Sequence, residues 1–405
     1  MVSLTRGDGD RPPTLEAMAI ARRLPGPQAR GSDPDRLGRP PEPAVLGKPP
    51  GRRTAGFGPG ELIRRGRRSA AGRESAAGRR SATGRGKAER LGQRAIGAAV
   101  GIVADRVLGE PPVPDRLHPV ALFGALASAT EDRLYADDRM RGAVHTGINA
   151  LVATGVGRVV GSPAAAGYLA MSGRALHTAA LDIGRALVAD DLDEARHLLP
   201  TLVGRDPTGL DAGEIARAVV ESVAENTTDA IVAPALWTVV AGAPGAFLHR
   251  AGDTLDSMVG YHDDRYERFG TAAARLDDAL AWMPARATAG LVALVRPGRA
   301  QSIRQTVRAD APGHPSPNAG VAEAAFAAAL GVRLGGVNRY GDVIEARPVM
   351  GSGRPVTADD IGAAVGLSRH VSWALAGLLA TSGLALTSLP RLRRRRRPTD
   401  RTPAR

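Results

Sequence analysis

The chain has 405 residues and a formal net charge of +13 at pH 7, with no cysteine and 3% aromatic residues. Without cysteine there is no disulfide, no thiolate nucleophile and no zinc site that depends on cysteine ligands. The last lysine is Lys87, so the rest of the chain holds no P-loop lysine and no lysine Schiff base.

The excess positive charge lies at the two ends of the chain, in residues 1–90 and 391–405, and the part between them is mildly acidic. Residues 1–90 are rich in Arg, Gly and Pro and lack both aliphatic periodicity and the apolar run of a secretory signal, so we expect a disordered basic arm. Residues 391–405 are expected to form a basic tail. Because the body is acidic, no nucleic-acid partner is expected, and binding of the basic arm to nucleic acid or acidic lipid is the alternative.

The first helix is expected to end at a proline turn. The Ala/Gly/Ile/Val run 95–104 ends at Asp105, and the two prolines of the sequence GlyGluProPro (109–112) stop the helix. This turn places Asp105 and His118 near one helix end. His118 precedes a proline, so it is either an ordinary turn residue or a group with a chemical role.

Three apolar segments are long enough either to cross a membrane or to lie buried in a soluble core: 143–170, 230–248 and 371–389. The last has Trp373 near one end and the Arg-rich run 391–397 beyond the other, which is typical of a span whose C-terminal flank faces the cytoplasm. Abundant Ala and Gly favour close helix–helix packing. These patterns predict an all-α, polytopic membrane helical bundle over 91–390, with 334–340 as a loop.

A stripe of carboxylates precedes the second apolar segment. On a helix Glu221, Glu225 and Asp229 fall on one face at i,i+4 spacing, where like charges repel by about a few tenths of a kcal/mol per pair. A bound cation is the usual compensation, and a solvated helix face is the alternative. Two acidic pairs follow along the chain: Asp253 with Asp256, and Asp277 with Asp278.

Eight short strings follow one another along residues 95–340. They are AspArgValLeuGlyGluProPro with HisProVal (105–120), ValGlyArgAsp (203–206), GluSerValAlaGluAsnThrThrAspAlaIleValAlaPro (221–234), ThrLeuAspSerMetValGlyTyr (254–261), ArgTyr with PheGly (265–270), AlaArgLeuAspAsp (274–278), ProAlaArg (284–286) and SerProAsnAlaGly (316–320). Together and in this order they resemble the adenosylcobinamide-phosphate synthase family of cobalamin biosynthesis.

The resemblance implies a multi-pass, all-helical protein of the cell membrane with a cytoplasmic C-terminus. It implies ATP-driven amide bond formation between adenosylcobyric acid and an aminopropanol phosphate, or a related amino alcohol, giving adenosylcobinamide phosphate. The implied partners are the corrinoid, the amino-alcohol phosphate, the lipid bilayer and other cobalamin-assembly membrane proteins. Two positions depart from the family pattern: the family usually has Asn where Asp253 stands and an aromatic residue where Val321 stands.

A carboxylate is a poor electrophile at pH 7, so amide formation needs an activated form, most simply an acyl phosphate made from ATP. The resemblance and the carboxylate clusters together suggest Mg²⁺ with ATP. The candidate metal ligands are Glu225, Asp229, Asp256, Asp277 and Asp278. The candidate catalytic residues are Glu221, Glu225, Asp229 and His118, the last as a base for the amine. The candidate substrate and phosphate contacts are Arg205, Arg275, Arg286, Asn226 and Asn318.

Two functions of other classes fit parts of the pattern. A polytopic Mg²⁺-dependent prenyltransferase would use Asp253 and Asp256 for a diphosphate, but its long cleft should hold more aromatic residues. A non-catalytic membrane transporter or regulatory protein would use intramembrane carboxylates as an ion path. The individual residues also have structural alternatives, such as an ion pair between Arg275 and Asp278 within one helix.

Overall fold

The computed structural model of the chain describes residues 86–204, 206–261, 264–340 and 343–395. Helices dominate these residues, which confirms the all-α class. The helices are α1 (86–108), α2 (Pro119–Leu134), α3 (Arg139–Val160), α4 (Pro163–Ala170), α5 (Gly173–Val188), α6 (Leu192–Leu198), α7 (Ala212–Thr227), α8 (Ala233–Ala241), α9 (Ala243–Val259), α10 (Thr271–Val295), α11 (Ala300–Asp310), α12 (Ala319–Leu330) and α13 (Ala358–Arg395). A π-helical turn, Thr228–Val232, joins α7 to α8.

The two basic ends of the chain lie largely outside the described residues. Of the expected arm, only 86–90 are described, as the start of α1, and of the expected tail only 391–395, as the end of α13. From Arg90 onward the described residues belong to one compact unit.

The apolar segment 143–170 forms two helices, although its composition predicts one. α3 ends at Gly161, which has a positive φ of 64°, and α4 begins at Pro163 with the Ser162 hydroxyl capping its first turn. Proline is preorganised for a first helical turn and glycine for the conformation that ends a helix, so this short sequence sets the break. Gly242, with a φ of 72°, divides 230–248 in the same way.

The segment 334–340, which the glycines predict to be a loop, is instead a β-strand. β1 (Leu334–Tyr340) pairs antiparallel with β2 (Val343–Met350), and the register shifts between Leu334 and Gly336. Gly335 and Gly336 have φ values of 74° and 95°, which side chains rarely adopt, so the glycines permit the irregular start of the strand.

The last helix contains the predicted C-terminal span. α13 runs without a break over 38 residues, and its part Ala358–Ser388 is the candidate membrane span among the described helices. The core helix of a soluble protein can pass the same test of length and composition. In the most apolar stretch of this helix, 28% of the residues are buried inside the protein.

Small residues let the helices approach closely, as the composition predicts. Gly92 on α1 and Gly383 on α13 face each other, and a Cβ on either would lie within 2.8 Å of the other's carbonyl oxygen. Gly101 on α1 lies against Gly167 on α4 in the same manner. The first and last described helices are therefore neighbours, and the bundle closes through glycine contacts.

Two glycines on α3 provide a matched test of this packing. A Cβ at Gly142 would overlap the carbonyl oxygen of Phe269, whereas one at Gly147 would meet no atom within 4 Å. We expect Gly142→Ala to lower the free energy of unfolding by about 1–3 kcal/mol through overpacking. Gly147→Ala should be neutral or stabilising by up to about 1 kcal/mol, because alanine favours the helix. Thermal unfolding of both purified variants measures the difference, and equal effects would contradict the described contact.

Candidate active site

A π-helical turn carries Asp229 between α7 and α8. Pro234, in the first turn of α8, has no N–H to donate to the carbonyl of Ala230, so the α-helical hydrogen-bond ladder cannot continue there. The Ala230 carbonyl instead accepts the backbone N–H of Ser172 at 3.2 Å. The widened turn thus joins this segment to the start of α5, and such turns recur at functional sites.

Carboxylates from α7, the π-turn, α9 and α10 act on one another at this turn. Burial is the largest cause that raises the pKa of Asp229 well above its usual value, and carboxylates add to it in the order Asp253, Glu225 and Asp256. The pKa of Asp277 is also raised well above its usual value, first by burial and then by Asp229 and its neighbours. We call these five residues the carboxylate cluster. It contains four of the predicted metal ligands and adds Asp253.

Arg250 on α9 is a guanidinium that pairs with this cluster. Its Nη1 donates to Oδ2 of Asp253 at 2.8 Å, and the two side chains are only 7% and 15% exposed. Its Nε and Nη2 donate to the carbonyl of Ala170 at 2.9 and 2.5 Å, and Nη2 also donates to the Ser172 hydroxyl at 3.2 Å. One guanidinium does not balance five carboxylates. The cluster therefore either retains protons or accepts a cation.

The cluster has one buried carboxylate oxygen without a partner, but its described residues do not form a complete metal site. Oδ1 of Asp277 is buried and has no hydrogen-bond partner among the described residues, which leaves an oxygen available to a cation. Within the same part of the chain, no three His, Asp or Glu side chains converge closely enough to hold a metal by themselves. Mg²⁺ typically takes one or two carboxylates and completes its octahedron with water and substrate phosphate oxygens.

Three further predicted residues meet beside the cluster, at the start of α12. The Asn318 amide donates to Oδ1 of Asp278 at 3.2 Å and to its backbone carbonyl at 2.9 Å. Nη1 of Arg286 donates to Oδ1 of Asn318 at 2.7 Å, and the guanidinium lies 4.7 Å from the ring centroid of Trp282. Burial raises the pKa of Asp278, and its hydrogen bond from Asn318 opposes the rise. Asp278 therefore lies in a hydrogen-bonded group with Asn318 and Arg286.

Glu221, one turn before Glu225 in the stripe, is bound to the start of strand β1. Its Oε1 accepts the backbone N–H of Gly335 at 2.8 Å, and Arg217 on the same helix donates to the Gly335 carbonyl. Glu221 is buried, and the carboxylates named as raising the pKa of Asp229 are those of Asp253, Glu225 and Asp256. The two side chains thus hold the start of β1 against α7.

The remaining predicted residues have varied surroundings. His118 is buried and caps α2, its Nδ1 accepting the N–H of Val120 at 3.3 Å. The Asn226 amide donates to the carbonyl and hydroxyl of Ser222, one turn earlier. Arg275 is exposed on α10, and Arg205 lies outside the described residues.

Asp105, at the end of the first apolar run, is a buried carboxylate for which the sequence predicts no role. Its Oδ2 accepts the N–H of Arg174 at 3.1 Å, so a residue of α1 caps α5, whose own N-cap residue Ser172 makes no side-chain cap. Burial raises the pKa of Asp105 to about 6, although the charges of Arg106 and Arg250 oppose the rise. The contact joins residues 69 apart in the chain, and no local pattern predicts it.

Comparison with known proteins places this arrangement in context. A family model described as "CobD/Cbib protein" matches residues 98–368. A protein named cobalamin biosynthesis protein CobD, from Mycobacterium tuberculosis, is 47% identical over 291 residues, covering 69% of this chain and 92% of that protein. Proteins of the same name from Chromobacterium violaceum and Rhodobacter capsulatus are 39% and 38% identical, covering 73% and 71% of this chain and 98% and 95% of theirs. No solved structure matches significantly.

Because the pKa of Asp105 is raised in the folded protein, this group makes the protein less stable as the pH rises. Between the usual value of 3.8 and about 6, the folded protein binds more protons at this group than the unfolded chain does. The free energy of unfolding therefore loses up to about 3 kcal/mol from this group as the pH rises through that window. Asp105→Asn keeps an oxygen for the cap, so it should remove this part of the pH dependence and be more stable than wild type at pH 7.

Thermal unfolding in detergent between pH 4.5 and 7.5 measures this effect. Asp132→Asn is the control, because Asp132 is exposed on α2. If Asp105→Asn is less stable than wild type at pH 7, the cap of α5 requires a charged carboxylate.

Proposed function

The chain belongs to the CobD/Cbib family, and from that premise we propose that it is the ligase that makes adenosylcobinamide phosphate in cobalamin biosynthesis. The reaction joins an aminopropanol phosphate, or a related amino alcohol phosphate, to a side-chain carboxylate of adenosylcobyric acid. The observation that supports activation by phosphate is the carboxylate cluster. Its Asp277 oxygen without a hydrogen-bond partner and its closely spaced carboxylates suit Mg²⁺ with ATP. Family membership also removes the reason to pursue the prenyltransferase and transporter alternatives.

The proposed chemistry has two steps. A carboxylate oxygen of the corrinoid attacks the γ-phosphorus of ATP, forming a C–O–P linkage while the bond to ADP breaks. The amine nitrogen then attacks the acyl carbon, forming the C–N bond while phosphate leaves and the nitrogen loses a proton. The products are the amide, ADP and phosphate.

The residues of the carboxylate cluster divide these tasks. Two of the three residues Glu225, Asp229 and Asp277 would hold Mg²⁺ together with ATP phosphates and water, and bound Mg²⁺ would neutralise charge on the transferred phosphoryl group. A carboxylate of the cluster outside the metal's coordination sphere would accept the proton of the amine, because a raised pKa makes it a better base. Arg286, oriented by Asn318 and Asp278, would contact a phosphate or the corrinoid carboxylate.

We further propose that the body crosses the membrane more than once. Besides the candidate span in α13, helix α3 is 22 residues long and exposes apolar side chains along one side: Val144, Ile148, Leu151, Val152, Val156 and Val159. The stripe covers about 23 Å of a helix that is about 33 Å long, and the length of the helix is close to the hydrocarbon thickness of a bilayer. The Arg-rich run 391–397, which begins in the last turns of α13, supports a cytoplasmic C-terminus.

Glu225→Gln tests the chemical role of the cluster while preserving side-chain shape. If the cluster holds Mg²⁺ and ATP, formation of adenosylcobinamide phosphate from adenosylcobyric acid, aminopropanol phosphate and ATP should fall by ~100-fold or more, about 2.7 kcal/mol of transition-state stabilisation. Thermal stability without ligands should hold or rise, because repulsion with Asp229 is relieved. Complementation of a strain blocked at this step provides the matching test in cells.

The control is Glu214→Gln on the same helix. Glu214 forms the capping box with Asp211, and glutamine preserves that box, so activity and stability should change little. Near-full turnover of Glu225→Gln at saturating Mg²⁺ and ATP would exclude Glu225 from the site. Absence of the product with wild-type protein would reject the proposed reaction.

Membrane integration is tested by washing membranes from expressing cells with alkaline carbonate, which releases peripheral proteins. We expect the full chain to remain in the pellet, because the apolar surfaces of α3 and α13 would be held by lipid. Recovery of the protein in the supernatant would contradict integration and would identify these surfaces as contacts of another kind.

A further inference from the structure

A second group of charged side chains lies apart from the carboxylate cluster and has the opposite sign. Arg106 on α1 and Arg369 on α13 both lie close to the buried His177 on α5, whose pKa is lowered to about 3 by burial and then by these two charges. The pKa of Arg106 is lowered by burial and then by Arg369, and Arg174 contributes in the same direction. We call Arg106, Arg174 and Arg369 the arginine cluster.

Protein carboxylates do not neutralise this cluster by direct pairing. Within the described residues none of the three guanidinium groups forms an ion pair with a carboxylate. The Nε atoms of Arg106 and Arg369 are buried without a hydrogen-bond partner there. Asp105 is the nearby acid that acts on Arg106, and its raised pKa shows that it is itself poorly stabilised as an anion. Positive charge with unused donors therefore remains.

Neutral hydrogen bonds hold two members of the arginine cluster, Arg106 and Arg174, in position. Nη1 of Arg106 donates to Nδ1 of His177 at 2.6 Å, which leaves the proton of the neutral imidazole on Nε2. Nε2 lies 2.8 Å from the Ser368 hydroxyl, which lies 2.7 Å from that of Thr227. Nη1 of Arg174 donates to the carbonyl of Val107 at 2.6 Å, with the rest of its guanidinium exposed. Such support preorganises the donors for a ligand.

Asp105 and residues 170–174 connect the arginine cluster to the carboxylate cluster. Arg174 donates its N–H to Asp105, on which the charge of Arg250 also acts. Arg250 in turn bonds the Ala170 carbonyl and the Ser172 hydroxyl and pairs with Asp253. The two clusters are therefore neighbours with opposite charges.

We propose that Arg106, Arg174 and Arg369 bind a phosphate group of a substrate. A phosphate dianion offers several acceptor oxygens to guanidinium groups, and arginine is well suited to bidentate contact with it. The assignment of that phosphate to the amine substrate rests on the proposed function. Held here by its phosphate, an aminopropanol phosphate would extend its amine toward the carboxylate cluster, where the corrinoid carboxylate is activated. The other source of the same chemistry is the phosphate chain of the nucleotide.

Calorimetric binding to the full chain in detergent tests the proposal without requiring turnover. The probes are aminopropanol phosphate, its unphosphorylated amino alcohol, inorganic phosphate and MgATP. We expect wild type to bind aminopropanol phosphate and to bind the amino alcohol at least ~10-fold more weakly, with inorganic phosphate competing against the former. Arg174→Gln and Arg369→Gln should each weaken aminopropanol phosphate binding at least ~10-fold and leave MgATP binding unchanged, because each removes a charged, bidentate donor.

Arg304→Gln, an exposed position on α11, is the matched control, and Arg369→Lys should restore part of the lost affinity by restoring charge. Arg174 is exposed, so its variant retains a test if Arg369→Gln fails to fold. If the glutamine variants lose only MgATP binding, the arginine cluster is still a phosphate site, but the phosphate it binds belongs to the nucleotide. Unchanged binding of all four probes in both glutamine variants would overturn the proposal. Phosphate binding without product formation would reject only the proposed function.

Discussion

The buried guanidinium of Arg250 is the contact on which the geometry of the site depends. It joins the end of α4 and the start of α5 to α9, through the Ala170 carbonyl, the Ser172 hydroxyl and Asp253. Removing one member of a buried ion pair typically costs about 3–5 kcal/mol, because the other charge is left uncompensated. Arg250 also offsets part of the repulsion around Asp229. It therefore stabilises both the helix junction and the unusual density of acidic groups beside it.

The secondary structure follows from the sequence where the signals are local. Gly161 ends α3 and Pro163 begins α4. The uncharged C-terminal run predicts the long helix α13. Average composition over 143–170 conceals that break, because alanine and valine continue on both sides of it. The β-hairpin is a different case. Strand β1 begins with glycines, which suggest a loop. Its register with β2 depends on both segments together, so neither sequence alone predicts the pairing.

The same difference between local signals and long-range contacts applies to the candidate site. The acidic stripe and the later pairs correctly indicate where carboxylates gather, because i,i+4 spacing on a helix is a local property. Contacts between distant segments decide what each one does. Glu221 belongs to the stripe by spacing, yet its partner is the N–H of Gly335, 114 residues away. Arg250 pairs with Asp253 three residues later, but its Ala170 partner lies 80 residues earlier in the chain. Pro234 was a usable local signal, since a proline at that position requires the Ala230 carbonyl to find another donor.

The glycine contact between α1 and α13 bears on how the protein is made. Gly92 and Gly383 are about 290 residues apart, so the first helix cannot complete its packing until the last has been synthesised. At ~5–20 residues per second, α1 waits roughly 15 to 60 s for that partner. During that interval the side of α1 that will face α13, which includes Gly92 and Ile96, lacks its native partner. This contact therefore forms only after α13 has been synthesised, and a ribosome that stalls before α13 leaves the α13-facing side of α1 without its native partner.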